Sequence, residues 1–249
     1  MSLLTTSLLS LESIIPEAPW SLHQDISIES DHKLAKSIAH LGMMRPPIVK
    51  PVDGCYELIC GARRFNAFRK LDRSATIGCA IVDNDASQEE LLLLIAEDQM
   101  LGGPLSPIEA ARFIALFNQW CDQPDSELLR HATSTSSTTQ RKRLLSLLQL
   151  EEPIRTSIHC GKISTKTGLS MVLQTPDERS FVHDLFVRLS LNSNKQRRFL
   201  ELAQIITARE GCTIRQFISD RFANLCYGEI DNIPQQTQTL MKQMYEHSH

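Results

Sequence analysis

Gly61, Arg63 and Arg64 stand close together in the run Tyr56-Glu57-Leu58-Ile59-Cys60-Gly61-Ala62-Arg63-Arg64-Phe65-Asn66-Ala67-Phe68. The stretch ending at Cys60 reads as a strand, and the residues from Ala62 onward read as a helix. Gly61 falls at the junction, where a missing Cβ permits close backbone approach. Backbone N–H groups at a helix start lack partners within the helix and attract anions. Guanidinium groups match phosphate oxygens in forked, charge-assisted geometry. Together these residues make a phosphate cradle. The plainer alternative is a surface helix that opens on two solvated arginines.

Two further groups can do chemistry. Glu97 and Asp98 follow the apolar run Leu91-Leu92-Leu93-Leu94-Ile95-Ala96. Magnesium needs only one or two carboxylates when a nucleotide supplies phosphate oxygens, so the pair is a candidate metal site. Glu97 is also the candidate catalytic residue, against the reading of a solvated acidic helix end. Thr138-Thr139-Gln140-Arg141-Lys142-Arg143 opens a helix that turns apolar at Leu144, Leu145, Leu147, Leu148 and Leu150. A recognition helix has that layout: polar residues first to reach base edges, apolar ones later to anchor it. Gln140 suits an adenine edge, Arg141 or Arg143 a guanine edge, and the local positive charge suits phosphates. A generic helical hairpin with a basic turn is the alternative.

The elements that must position these groups are legible from periodicity. Leu8 to Ile14 reads as a short strand. Ser30 to Leu41 follows a helical rhythm with Ser30 as N-cap, and Gly42 stands where a helix-ending glycine belongs. Ile48–Pro51 and Tyr56–Cys60 form a hairpin turning at Asp53-Gly54. Arg63–Leu71 is helical and Thr76–Val82 is a strand. Ser87–Met100 is helical, opened by a capping box of Ser87 and Glu90. Gly102-Gly103-Pro104 reads as a domain boundary. Everything after it reads helical: 107–121, 126–131, 138–150, 153–159, 166–173, 176–189, 195–209 and 213–223. The polar end, Asp231 to His249, reads as a terminal helix or a ragged tail.

Composition narrows the classes. A hydrophobic fraction of 42% over 249 residues is enough to bury a core. The formal net charge of −3 argues against sequence-blind coating of nucleic acid and leaves local basic clusters to carry any DNA contact. Seven cysteines without a CxxC pair fit neither a disulfide framework nor a zinc site, and they read mostly as small core residues in a reducing cytoplasm. The first sixteen residues lack a basic start and a cleavage motif, so no signal peptide is expected. No apolar run approaches membrane-spanning length, so no membrane partner is expected.

Three elements in order resemble the ParB family of partition proteins. Gly61-Ala62-Arg63-Arg64-Phe65-Asn66-Ala67 resembles the family box G-E-R-R-x-R-A, departing at Ala62 and Asn66. Leu41-Gly42-Met43-Met44-Arg45-Pro46-Pro47-Ile48-Val49 resembles L-G-x-x-Q-P-x-x-V, with Arg45 in place of Gln. Leu105-Ser106-Pro107-Ile108-Glu109-Ala110-Ala111 resembles L-S-P-I-E-x-A. Farther on, Leu144 to Ile154 and Ile158 to Ser164 resemble the family's R-L-L-x-L-P-x-x-V and I-x-x-G-x-I-S stretches. Ile95 to Met100 falls where the family carries E-N-x-x-R; Asp98 replaces Asn, and Met100 and Leu101 stand where Arg is expected.

The resemblance implies an α+β fold: a small mixed-sheet domain of the ParB/sulfiredoxin-like type followed by an all-α helix-turn-helix domain. It implies CTP and Mg²⁺ as cofactors, with Gly61, Arg63 and Arg64 on phosphates, Gly42, Met44 and Pro46 near the base, and Glu97 and Asp98 at the metal. Implied partners are double-stranded DNA, an ATPase of the ParA type and a second copy in a homodimer. The expected domains are 1–103 for nucleotide, 104–175 for DNA, and 176–249 as a helical extension. The expected function is CTP-regulated DNA binding in plasmid or chromosome partition, with a weak CTPase as its enzymatic limit. Two alternatives stay open: a metal- and nucleotide-dependent kinase or nuclease on the same fold, and a transcriptional regulator that has lost nucleotide binding.

Overall fold

The computed structural model describes residues 4–16, 20, 22, 28–71, 76–101, 104–121, 127–227 and 232–248. Gly102, Gly103, Ser126 and Asp231, named above as breaks or helix ends, lie outside the described residues, as does the side chain of Ser30.

The chain divides into two compact units, Met1–Arg141 and Lys142–His249. The first is built on a five-stranded sheet of order β1-β5-β3-β4-β2. Its strands are β1 (Leu4–Ser10), β2 (Ile14–Ile15), β3 (Ile48–Val52), β4 (Cys55–Cys60) and β5 (Thr76–Val82). β1 runs antiparallel to β5, β5 parallel to β3, β3 antiparallel to β4, and β4 parallel to β2. The single strand expected over 8–14 is thus two edge strands separated by a 3-10 turn at Leu11–Ser13, which Ser10 caps.

Helices α1 (Ile28–Leu41), α2 (Ala62–Leu71), α3 (Gln88–Met100), α4 (Pro107–Trp120) and α5 (Glu127–Thr133) complete this unit. Leu9, Leu11, Ile14, Val49, Leu58, Ile77 and Cys79 form one core layer, closed by Phe65 from α2. β4 alternates, so Leu58 faces that layer and the equally buried Ile59 faces away, and α3 packs against β4. Gly42 ends α1 at φ +77°, its N–H bonded to the Ile38 carbonyl at 2.9 Å, and Asp53-Gly54 turns the hairpin, both as expected. The Ser87–Glu90 capping box opens α3.

Helix α4 is buried along most of its length, from Ile108 to Phe117. It packs on α3 and α5, and α5 packs on α3. A helix apolar on nearly all sides needs neighbours on all sides. The first compact unit accordingly includes α4 and α5 and runs to Arg141.

The second unit is helical: the end of α6 (Thr138–Ser146), then α7 (Glu152–His159), α8 (Thr165–Met171), α9 (Pro176–Arg188), α10 (Ser193–Glu210), α11 (Ile214–Arg221), α12 (Ala223–Tyr227) and α13 (Ile233–Ser248). α10 packs against α8, α11 and α13. Gly211 ends it in the left-handed conformation. The polar end of the chain forms a helix rather than a ragged tail because Thr237, Leu240 and Met244 bury one stripe. The helix expected over 213–223 breaks at buried Phe222, which takes extended φ and starts α12.

The cysteines depart from expectation. Cys60 and Cys79 are buried, Cys160 is exposed and the remaining four are half-buried. Among the described residues no helix is long and apolar enough to cross a membrane.

One ion pair in this unit gives a pH prediction. Arg179 of α9 donates from Nε and Nη2 to both oxygens of Glu151 at 2.8–3.0 Å, where α7 begins. These hydrogen bonds hold the Glu151 carboxyl below the usual carboxylate range. The unfolded chain therefore takes up this proton at higher pH than the folded one, and the stabilisation is lost as pH falls through the carboxylate range. Urea unfolding followed across acidic pH should show a shallower loss of stability in Glu151→Gln than in the wild type. Parallel curves would exclude the pair as a source of acid sensitivity.

Candidate functional site

The turn from β4 into α2 is shaped by Gly61. It is buried and sits at φ +87°, where side chains are strained. A Cβ there would lie 3.1 Å from Pro47 Cα and 3.1 Å from Arg64 Nη2. The Phe65 N–H donates to the Gly61 carbonyl at 2.9 Å, so the first turn of α2 starts on the glycine. Phe65 itself is 1% exposed and anchors that turn in the core.

Arg64 is held at both ends. Nη1 donates to the carbonyls of Arg45 and Pro46 at 3.1 and 3.3 Å. Nη2 donates to both carboxylate oxygens of Asp98 at 2.7 and 2.6 Å. Arg45 approaches the same carboxylate at 4.0 Å. These groups wall a cavity of about 260 Å³ lined by Arg45, Gly61, Arg63, Arg64, Asp98 and Glu109, with Leu34, Gln99, Pro104 and Leu105. Three guanidinium groups against two carboxylates leave the wall net positive. Beneath it, burial first and the Asp98 charge second push the Cys60 thiol up, so it is an inert neighbour and not a nucleophile.

The predicted site residues divide. Gly61, Arg63, Arg64 and Asp98 meet at one cavity. Glu97 is exposed and off its wall, as is Met44 at 82% exposure. Gly42 is exposed at the end of α1, and Pro46 contributes its carbonyl to Arg64. Among the described residues no group of three or more His, Cys, Asp or Glu is arranged to hold a metal. Sequence reasoning misses Arg45 and Glu109 as wall residues. Arg45 stands out in the sequence only as a departure from a family Gln. Glu109 carries the signal of a helix cap, a role it does fill by accepting from the Ser106 N–H at 2.8 Å.

The basic helix shows a second division. Ser137 caps α6, accepting the Gln140 N–H at 3.1 Å. Thr138, Thr139, Gln140, Lys142 and Arg143 are exposed, while Arg141 is 5% exposed. Arg141 is the one residue of the predicted DNA-contact set whose side chain is turned away from solvent. α5 and α6 are joined through Ser134 at φ +52°, with Thr133 and Thr135 hydroxyls 2.6 Å apart, in place of the usual glycine turn.

A mixed five-stranded sheet, an arginine-walled cavity at a strand-to-helix glycine and the helices that follow make this an α+β protein with a cationic cavity wall. Residues 5–97 match the family model of the ParB N-terminal domain. The chain therefore carries a ParB-type N-terminal domain, and its resemblance to ParB-type partition proteins holds beyond the motifs. It is 29% identical over 172 residues to the chromosome-partitioning protein Spo0J of Thermus thermophilus, covering 69% of this chain and 61% of that protein. It is 31% identical over 166 residues to a nucleoid occlusion protein of Halalkalibacterium halodurans, covering 66% of this chain and 56% of that protein. The chain thus spans about three-fifths of the length of these relatives. A C-terminally truncated ParB of Caulobacter crescentus, solved with CTP-γ-S, overlays with a TM-score of 0.33 at 16% identity, covering 69% of this chain and 94% of that one. At that score the overlay transfers no residue role.

Proposed function

We propose that this chain is a nucleotide-responsive DNA-binding protein acting in plasmid or chromosome partition or in a related regulatory role. The observation that carries the reading is the cavity at Gly61, where Arg45, Arg63 and Arg64 converge within a ParB-type domain. Guanidinium groups around a helix start are suited to a phosphate chain, and the ParB resemblance selects CTP as the nucleotide. Arg63 and Arg64 hold phosphates, and Gly42, Met44 and Pro46 form the edge nearest the base. Asp98 is the carboxylate within reach of a phosphate-bound Mg²⁺, whose charge would offset the nucleotide's. Glu97, exposed and off the wall, is not placed to act as a base, which favours binding over turnover.

DNA is gripped by α6 through Thr138, Thr139, Gln140, Lys142 and Arg143; Arg141 supports the helix from inside. The functional division is residues 1–103 for nucleotide, 104–175 for DNA and 176–249 as an extension. A second copy and a ParA-type ATPase are the remaining partners.

Fluorescence anisotropy with labelled duplex fragments tests the reading. Affinity should fall steeply as salt rises, and CTP with Mg²⁺ should change it. Replacing Lys142 and Arg143 together by alanine should weaken binding and lower the salt slope by about 2, since each cation that no longer neutralises a phosphate removes about one unit. Undetectable binding, or binding indifferent to salt, rules the reading out.

A further inference from the structure

We infer that Asp98 is a built-in competitor for the ligand: its carboxylate occupies the Arg64 guanidinium that a phosphate must take, and so sets the threshold of the site. The inference rests on the phosphate-binding reading of this cavity.

Both Asp98 oxygens lie on Arg64 Nη2, at 2.7 and 2.6 Å. The other end, Nη1, is taken by the carbonyls of Arg45 and Pro46. Both ends of the guanidinium that a phosphate would use are therefore engaged from within. A carboxylate offers a guanidinium the same paired oxygens as a phosphate does. The two side chains are only 14% and 11% exposed, so solvent and salt weaken the pair far less than a surface ion pair. The competitor is tethered to α3, which gives it an effective concentration of the order of millimolar or more at Arg64.

The same wall provides a way out. Arg45 lies 4.0 Å from Asp98 and is 46% exposed. With Arg63 it adds positive charge to the cavity wall beside Arg64. A phosphate chain long enough to reach from these residues to Arg64 displaces Asp98, which already lies 4.0 Å from Arg45. Asp98 then has two arrangements, on Arg64 when no polyphosphate is seated and toward Arg45 when one is. An anion too short to span the wall leaves it where it is.

Isothermal titration of inorganic tripolyphosphate and of CTP, in EDTA and again with Mg²⁺, tests this on four proteins: wild type, Asp98→Asn, Arg64→Ala and the double variant. In EDTA, Asp98→Asn should bind about ten-fold tighter than the wild type, the size of one charge-assisted contact freed for the ligand, and with Mg²⁺ the gain should shrink because a metal-facing carboxylate is lost as well. In the Arg64→Ala background the same change should bring no gain, because the contested group is gone. Equal or weaker binding by Asp98→Asn in EDTA overturns the inference. So does an equal gain without Arg64, which would make Asp98 a source of general repulsion. Absence of binding in all four proteins under both conditions has a different meaning: the phosphate reading itself falls. Should Asp98→Asn fail to fold, Asp98→Ser takes its place in the same cycle.

Discussion

Arg64→Ala is expected to melt at lower temperature than the wild type and to gain nothing from CTP. The first effect follows from the pair it breaks. Arg64 and Asp98 are both largely shielded from water, and removing Arg64 leaves Asp98 only the more distant and more exposed Arg45. Breaking such a pair costs about 3 kcal/mol or more. The Arg45 and Pro46 carbonyls lose their donor in the same step. The second effect follows from linkage. A ligand at about 100 times its Kd stabilises the folded state by about 2.7 kcal/mol. In a unit of this size each kcal/mol moves Tm by about 2–4 °C. The wild type should therefore show a nucleotide-dependent rise of several degrees, and Arg64→Ala none. A rise preserved in Arg64→Ala would remove this residue from the binding site.

Gly61→Val should be as damaging by a different route. The position needs φ +87°, and a β-branched side chain is strained there. Its Cβ also meets the Pro47 backbone at 3.1 Å, and backbone cannot step aside as a side-chain tip can. Strain and overpacking together cost about 2–4 kcal/mol. The displaced Arg64 guanidinium takes the cavity wall with it. Gly54 provides the control. It has φ +84° but nothing within 4 Å of an added Cβ, so Gly54→Ala should cost only about 1 kcal/mol and leave ligand binding intact. Urea unfolding of the two variants separates a strained turn from a turn that also guards a site. Similar costs at both glycines would mean that the close approach at Gly61 adds nothing to the strain of its φ.

Much of the first unit is legible in the sequence because its signals are local. Gly42, Asp53-Gly54 and the Ser87–Glu90 box announce their turns and caps through rules spanning four residues or fewer, and each is found where expected. The strand-to-helix turn at Gly61 with two arginines beyond it is equally readable. Expectation and structure part where the outcome depends on distant partners. Leu8–Ile14 is two edge strands because β1 pairs with β5 and β2 with β4, pairings that no local pattern encodes. The helix at the chain end forms because α10 offers Leu240 and Met244 a surface. Arg141 stands in a basic run indistinguishable from its neighbours by type, and only packing turns it inward.

The site divides along the same line. Residue order is enough to place a glycine bend followed by guanidinium groups at the edge of an α+β domain, because backbone sterics and residue chemistry act over a few positions. Only packing in three dimensions brings Arg45, nineteen residues before Arg64, and Asp98, thirty-four after it, to the same cavity, and leaves Glu97 outside. Adjacent residues on a helix point about 100° apart. Which of Glu97 and Asp98 faces the arginines is therefore set by how α3 lies against β4, a matter of buried apolar surface and not of the acidic residues themselves.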